Sequence, residues 1–233
     1  MGDEGVNGLP TPYDIEQYLR RLTSAVLAGR AEEVRNSTHA ALAQGSTTND
    51  ILDALLEAVN ILADLNEVGE IDQTKLNIAE TAANSCLQVI EDQLAKSENK
   101  FNATATVGPL GLKAGGLLSL ALSAMLRSVG FRAISLGKTQ TPLELLRNSE
   151  EMGAELVIPL LPAEEVETQL RSFADELERG GFRSKFEVIP VAPGLPESVL
   201  TPLNVVRNSG EAISKATEWA LKRQSSHRTN GSS

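Results

Sequence analysis

The chain has 233 residues, 41% hydrophobic and 22% charged, which is enough apolar material to bury one large core or two modest ones. A formal net charge of -10 and a pI near 4.8 argue against a nucleic-acid partner, whose phosphate backbone needs a basic face. The single cysteine, Cys86, excludes an intrachain disulfide and a cysteine-rich metal site. It falls within a helical pattern, where a free thiol usually behaves as a small buried hydrophobe.

Met1 to Pro10 is acidic and glycine-rich and lacks the apolar core of a secretory signal. No run approaches the roughly 20 apolar residues that span a bilayer, so a cytoplasmic protein without membrane contact is expected. The next region, to about Lys96, reads as four amphipathic helices. Ile15, Leu19, Leu22 and Val26 form the first stripe, ended by Gly29, and a second helix runs from Ala31 to Gln44. Thr47, Thr48 and Asn49 offer cap chemistry for a third, faced by Ile51, Leu52, Leu55, Leu56, Val59 and Leu62. Asp72 can cap a fourth, with Leu76, Ile78, Ala82, Val89, Ile90 and Leu94 as its apolar positions. Four such helices with short connections predict a bundle over residues 11–97.

After a polar hinge, Ser97 to Lys100, the period changes. Strand-like runs lie at Asn102–Val107, Arg132–Leu136, Leu156–Leu161 and Phe186–Val191, with a weaker one at Leu203–Val206. Helical runs at Leu117–Val129, Pro142–Met152, Ala163–Arg179 and Gly210–Lys222 alternate with them. This alternation predicts a parallel, Rossmann-like sheet of the flavodoxin type, flanked by helices, over residues 101–223. The polar tail from about Gln224 to Ser233 lacks periodicity and is expected to be mobile.

The densest information lies between Phe101 and Gly137: a strand, the turn Gly108-Pro-Leu-Gly-Leu-Lys-Ala-Gly-Gly116, an apolar helix, Gly130-Phe131, a second strand, and Leu136-Gly137. Upstream stand Ala41, Leu42 and Gly45 in an Ala-Leu-x-x-Gly turn, and the segment Ala63-Asp-Leu-Asn-Glu-Val-Gly-Glu-Ile71. Taken together, these resemble the corrinoid (cobalamin-binding) proteins of methyltransferase systems over nearly the whole chain. In that family a turn of the form Asp-x-His-x-x-Gly ligates cobalt through its histidine. A Ser-x-Leu segment on the third strand and a Gly-Gly after the fourth also hold the cofactor. The resemblance implies that Leu110 stands at the Asp position, Leu112 at the His position and Gly115 at the Gly. Pro159 falls within the Ser-x-Leu segment, and Pro190 with Val191 replaces the Gly-Gly.

Leucine cannot coordinate cobalt, and the only histidines, His39 and His227, are remote in sequence. Proline removes a backbone donor and is rare within central strands. The family's cofactor positions (Gly108, Leu110, Leu112, Gly115, Gly116, Pro159 and Pro190) therefore read as degenerate. The expectation is a non-catalytic homologue that has lost histidine-ligated cobalamin, carries no cofactor, and acts as a partner-binding or regulatory module. Relatives of this architecture without their own DNA-binding helix-turn-helix act on transcription factors in light- or redox-responsive pathways, which leaves such a role open. Alternatives are a carrier or sensor still holding a corrinoid or other tetrapyrrole without an axial histidine, or a small-anion site at the Gly115-Gly116 helix start. A protein partner is expected, and a homodimer is open.

Other residues carry less. Lys113 falls inside a turn that matches neither phosphate-loop pattern. Asp64, Glu67, Glu70 and Asp72 do not follow a calcium-loop spacing and read as a solvated turn. Ser119, Ser123 and Ser135 have no histidine nearby in sequence for nucleophilic catalysis. His39 reads as a surface residue, Trp219 as a packing anchor, and Glu164-Glu165 as a solvated pair. No catalytic constellation is visible.

Overall fold

The apolar stripes of the first half fold as α1 (Pro12–Leu27), α2 (Ala31–Ala43), α3 (Thr48–Glu67) and α4 (Gln73–Ser97). The computed structural model describes residues 12–97, 99–112, 114–193, 195 and 205–230, without the side chains of 12–15, 67, 97 and 227–230. Local chemistry sets two of the helix starts. Thr47 accepts from the Asp50 N–H at 3.2 Å while Asp50 accepts from the Thr47 N–H at 2.7 Å, a reciprocal cap. Asp72 accepts from the Lys75 N–H at 2.9 Å and begins α4.

Leu22, Val26, Ile51, Leu55, Val59, Leu76, Ile90 and Leu94 are all buried, as their periodicity requires. Ile78 departs from its expected place. It is 49% exposed, because it lies over the turn between α1 and α2. There, a Cβ added to Gly29 would come within 2.3 Å of its Cγ2. The helices form a four-helix bundle in which α1 packs on α2 and α3, and α4 packs on the same two.

The second half alternates strand and helix: β1 (Thr104–Pro109), α5 (Gly115–Val129), β2 (Arg132–Ser135), α6 (Pro142–Glu151), β3 (Leu156–Leu160), α7 (Val166–Arg179), β4 (Glu187–Val188) and α8 (Ser209–Asn230). All pairings are parallel, in the order β2-β1-β3-β4. Single parallel bridges join Leu160 to Val191 and Val191 to Val206, adding a fifth position beyond β4. That position matches the expected weak strand, although its residues Leu203 and Asn204 lie outside the described ones. The order is the flavodoxin-type winding.

Strand alternation divides the interior into two cores. Ala105 and Val107 of β1 and Leu156, Ile158 and Leu160 of β3 join a core shared with the bundle, α5 and α8. Val157 and Leu161 turn to a second core beneath α6 and α7. Thr106, also buried, meets Ser149 of α6 across 2.7 Å, which satisfies both hydroxyls. α5 is the joint of the molecule, since it packs on β1 and β2 and on α3 and α4.

Three elements differ from their sequence-based bounds. β1 begins at Thr104 and not Asn102, because Asn102 has φ +48° and its N–H closes a turn on the Asn99 carbonyl at 3.0 Å. β4 is two residues long plus the bridge at Val191, where a run from Phe186 to Val191 was expected. The prolines account for this. The Pro159 carbonyl accepts from Val191 at 2.9 Å and that of Pro190 from Val206 at 2.9 Å. The N–H that each proline lacks would have pointed along the same edge, so a ladder bond is missing on either side of β4. The third difference is the tail. Residues 224–230 continue α8 as helix, held in part by Gln224, whose side chain donates to the Lys100 carbonyl at 3.2 Å.

Candidate functional site

In open α/β sheets ligands gather beyond the carboxyl ends of the strands, where the winding reverses, which here lies between β1 and β3. The glycine-rich turn leaves β1 at this point. Gly108 pairs with Pro159 across the two strands, and the Leu110 N–H donates to the Leu160 carbonyl at 2.8 Å. Leu110 therefore still belongs to the ladder. Gly111 then reverses the chain with φ +80°, a conformation suited to glycine, and leads through Leu112 to α5.

The seven expected positions fall in different surroundings. Leu110 is fully buried in the second core, with Leu145, Leu170 and Phe173. Leu112 is half-buried against the first core. Pro159 and Pro190 are both buried. The glycines sit at close contacts. A Cβ on Gly108 would lie 2.6 Å from Leu145 Cδ1, one on Gly115 2.2 Å from Pro109 Cβ, and one on Gly116 2.6 Å from the Gly137 carbonyl. Gly115 and Gly116 let α5 start pressed against β1 and against the loop after β2, and Gly108 lets α6 close on β1. Lys113 lies outside the described residues.

Two hollows adjoin the turn. One, of about 160 Å³, lies under the C-terminal end of α3. Leu112, Ala114 and Leu118 form its apolar wall, Asp64 and Asn66 come from α3, and Pro162 to Glu165 form the opposite rim. Asn66 is 8% exposed, and its amide donates to the Ile71 carbonyl at 2.9 Å, which ties the end of α3 to the following turn. The other is a groove of about 770 Å³ between α4 and the loop after β2, lined by Gln73, Asn77, Glu80, Gly116, Ser135 and Lys138. The Glu80 carboxylate lies 3.5 Å from the place a Gly116 Cβ would take. A negative charge beside this helix start is favourable, and here the chain supplies its own.

The remaining candidates find structural partners. The Ser119 hydroxyl donates to the Val107 carbonyl at 2.7 Å and lies 2.8 Å from the Ser135 hydroxyl. Ser123 donates to the Leu120 carbonyl at 2.9 Å. His39 is exposed on α2. Trp219 is half-buried against the first core, with the Arg223 guanidinium 5.6 Å above its ring and paired in turn with Glu155. Cys86 is fully buried, and burial pushes its thiol up to about 11 against a smaller opposing pull from Thr38. Among the described residues no three His, Cys, Asp or Glu side chains converge as a metal-binding group. The same residues contain no helix long and apolar enough to cross a membrane.

The contribution of α3 to the small hollow was not singled out from the sequence. Its signal was the 63–71 segment, part of the resemblance to corrinoid proteins, but nothing local indicates that this segment lies over Leu112.

A four-helix bundle resting on α5 and the carboxyl ends of a flavodoxin-type parallel sheet is the fold of cobalamin-binding corrinoid proteins. The structure matches that of the monomethylamine corrinoid protein of Methanosarcina barkeri with a TM-score of 0.61 and 18% identity, over 87% of this chain and 98% of that one. Looser matches are a cobalamin-binding protein from Desulfitobacterium hafniense DCB-2 (TM-score 0.45, 14% identity, 86% of this chain and 98% of that one) and a methanol:cobalamin methyltransferase complex from M. barkeri (TM-score 0.44, 15% identity, 94% and 86%). No protein-family model matches the chain, and no curated protein is similar to it. At these identities the likeness establishes the fold, and the resemblance read from the sequence holds at that level.

Proposed function

We propose that this protein is a non-catalytic, cytoplasmic homologue of corrinoid proteins that has lost histidine-ligated cobalamin and works as a partner-binding, regulatory module. In this reading the helical half, 11–97, and the sheet half, 101–223, are the two units of the family's architecture, kept without its cofactor. The observation that carries it is the fate of Leu110 and Leu112. The residue at the acid position is built into the far core, and the one at the histidine position walls a hollow of about 160 Å³. Small-molecule pockets usually offer about 300–1,000 Å³, and a corrin ring needs room at the large end of that range. Neither side chain offers a donor atom to a metal.

A second reading rests on the groove of about 770 Å³ between α4 and the loop after β2, which has the volume of a ligand site. It would make the protein a carrier of a tetrapyrrole without an axial histidine. Its polar lining suits such a ligand poorly, and Glu80 disfavours a small anion at the start of α5.

One experiment separates these readings. The purified protein is incubated with hydroxocobalamin, and separately with haemin, then passed through gel filtration while visible absorbance is recorded across the protein peak. The proposal expects no corrin or porphyrin band with the protein. A stoichiometric band for either ligand would overturn it in favour of a carrier.

A further inference from the structure

The small hollow under α3 opens between two acidic stretches. Residues 40–74 contain Asp50, Asp53, Glu57, Asp64, Glu67, Glu70 and Asp72 and no Lys, Arg or His. Residues 148–170, which supply the opposite rim, contain six Glu and no Lys, Arg or His. Some of these acids are used internally, as Glu150 is by Lys185 and Glu155 by Arg223. At the mouth itself, Asp64, Glu164 and Glu165 are exposed, and among the described residues no cation pairs with any of them.

Apolar surface accompanies this charge. Val68 is 71% exposed and Ile61 36%. Their spacing along α3 places them on the same face as Asp64, which lies between them. Inside the mouth the wall is Leu112, Ala114 and Leu118, and the free volume of about 160 Å³ suits one aliphatic side chain. An exposed apolar strip leading to a small apolar hollow with an acidic rim is complementary to a specific kind of surface.

We infer that this mouth docks a basic amphipathic segment of a protein partner, with one aliphatic side chain entering the hollow and flanking Lys or Arg side chains pairing with Asp64, Glu164 and Glu165. The inference rests on the partner-binding reading above and specifies the partner's chemistry. Anchor and rim have separate roles. The enclosed aliphatic contact supplies most of the affinity, and the charges steer the approach and set its register.

The test uses a short, fluorescein-labelled, helix-forming peptide of Lys with Leu along one face, titrated with the full chain and read by anisotropy. Two control peptides replace Leu by Ser or Lys by Glu. Saturable binding is expected only for the Lys/Leu peptide, weakening as salt rises. The double variant Asp64→Lys/Glu164→Lys is expected to bind about tenfold more weakly or worse. Asp175→Lys, an exposed reversal on α7 away from the mouth, is expected to bind like wild type. Methyl resonances of Leu112 and Leu118 should shift on binding. Absence of binding, equal binding of the Lys/Ser peptide, or equal weakening by Asp175→Lys would each overturn the inference. Corrin uptake, measured on the same preparation, would overturn the underlying reading instead, so the two failures are distinguishable.

Discussion

Leu110 and Leu112 are two residues apart and lie in different environments. Leu110 is enclosed with Leu145, Leu170 and Phe173 beneath α6 and α7, and its N–H remains in the sheet. Leu112 follows the reversal at Gly111, is half-exposed, and walls the hollow below α3. One leucine is core, and the other stands half-exposed at the wall of a hollow. Installing a metal-binding turn of the Asp-x-His kind would therefore be opposed mainly at the first position, where a carboxylate would have to be buried, and far less at the second.

The largest effect that could break this comparison is at Leu110. Leu110→Ala is expected to cost about 2–5 kcal/mol, the usual range for an enclosed leucine. Leu110→Asp should cost more, because it places an unpaired charge among apolar side chains. Urea titrations followed by circular dichroism measure both. A loss below about 1 kcal/mol for the alanine variant would mean that Leu110 is not core.

At Leu112 the expected cost is smaller. Leu112→His, partly solvated, should lower stability by about 1 kcal/mol or less, with an unchanged denaturant slope. A loss as large as that of Leu110→Ala would erase the contrast between the two positions.

Effects of similar or smaller size sharpen the description of the roof over Leu110. α6 begins with a reciprocal cap in which Glu144 accepts from the Thr141 N–H at 2.8 Å and Thr141 accepts from the Glu144 N–H at 3.3 Å. Thr141→Ala should cost about 1 kcal/mol. The Thr141 N–H, and then its hydroxyl, hold the Glu144 carboxyl below its ordinary value. A depressed folded-state pKa stabilises above the unfolded-state pKa, and that contribution is lost as pH falls through the folded value. The stability difference between wild type and Glu144→Gln should thus be present at neutral pH and vanish in acid, below the usual carboxylate range near about 4.3. A difference that is constant with pH would count against the cap.

Much of the fold was legible because it rests on local chemistry. The α3 face from Ile51 to Leu62, the caps at Thr47 and Asp72, and the strand–helix alternation after Lys100 are written in short-range periodicity and side-chain type. The shortening of β4 followed from Pro159 and Pro190 only once their neighbours in the sheet were known, since a missing donor matters only where an acceptor faces it. The helix through residues 224–230 was missed because a polar run shows no stripe. It is held by contacts to distant groups, Gln224 to the Lys100 carbonyl and Arg223 to Glu155. The candidate site was legible as a turn and not as a place. The turn's residues could be named, but a glycine at φ +80° sends Leu110 and Leu112 to different cores, and the wall supplied by Asp64 and Asn66 comes from a helix more than forty residues upstream.

Thermal unfolding in saturating hydroxocobalamin tests the proposal that this fold seats no cobalamin. A ligand that binds only the native state must raise the unfolding midpoint by an amount set by its concentration over its dissociation constant. The same midpoint is expected with and without the corrinoid. A rise that grows with corrinoid concentration would show a cofactor bound to the native protein and overturn the proposal.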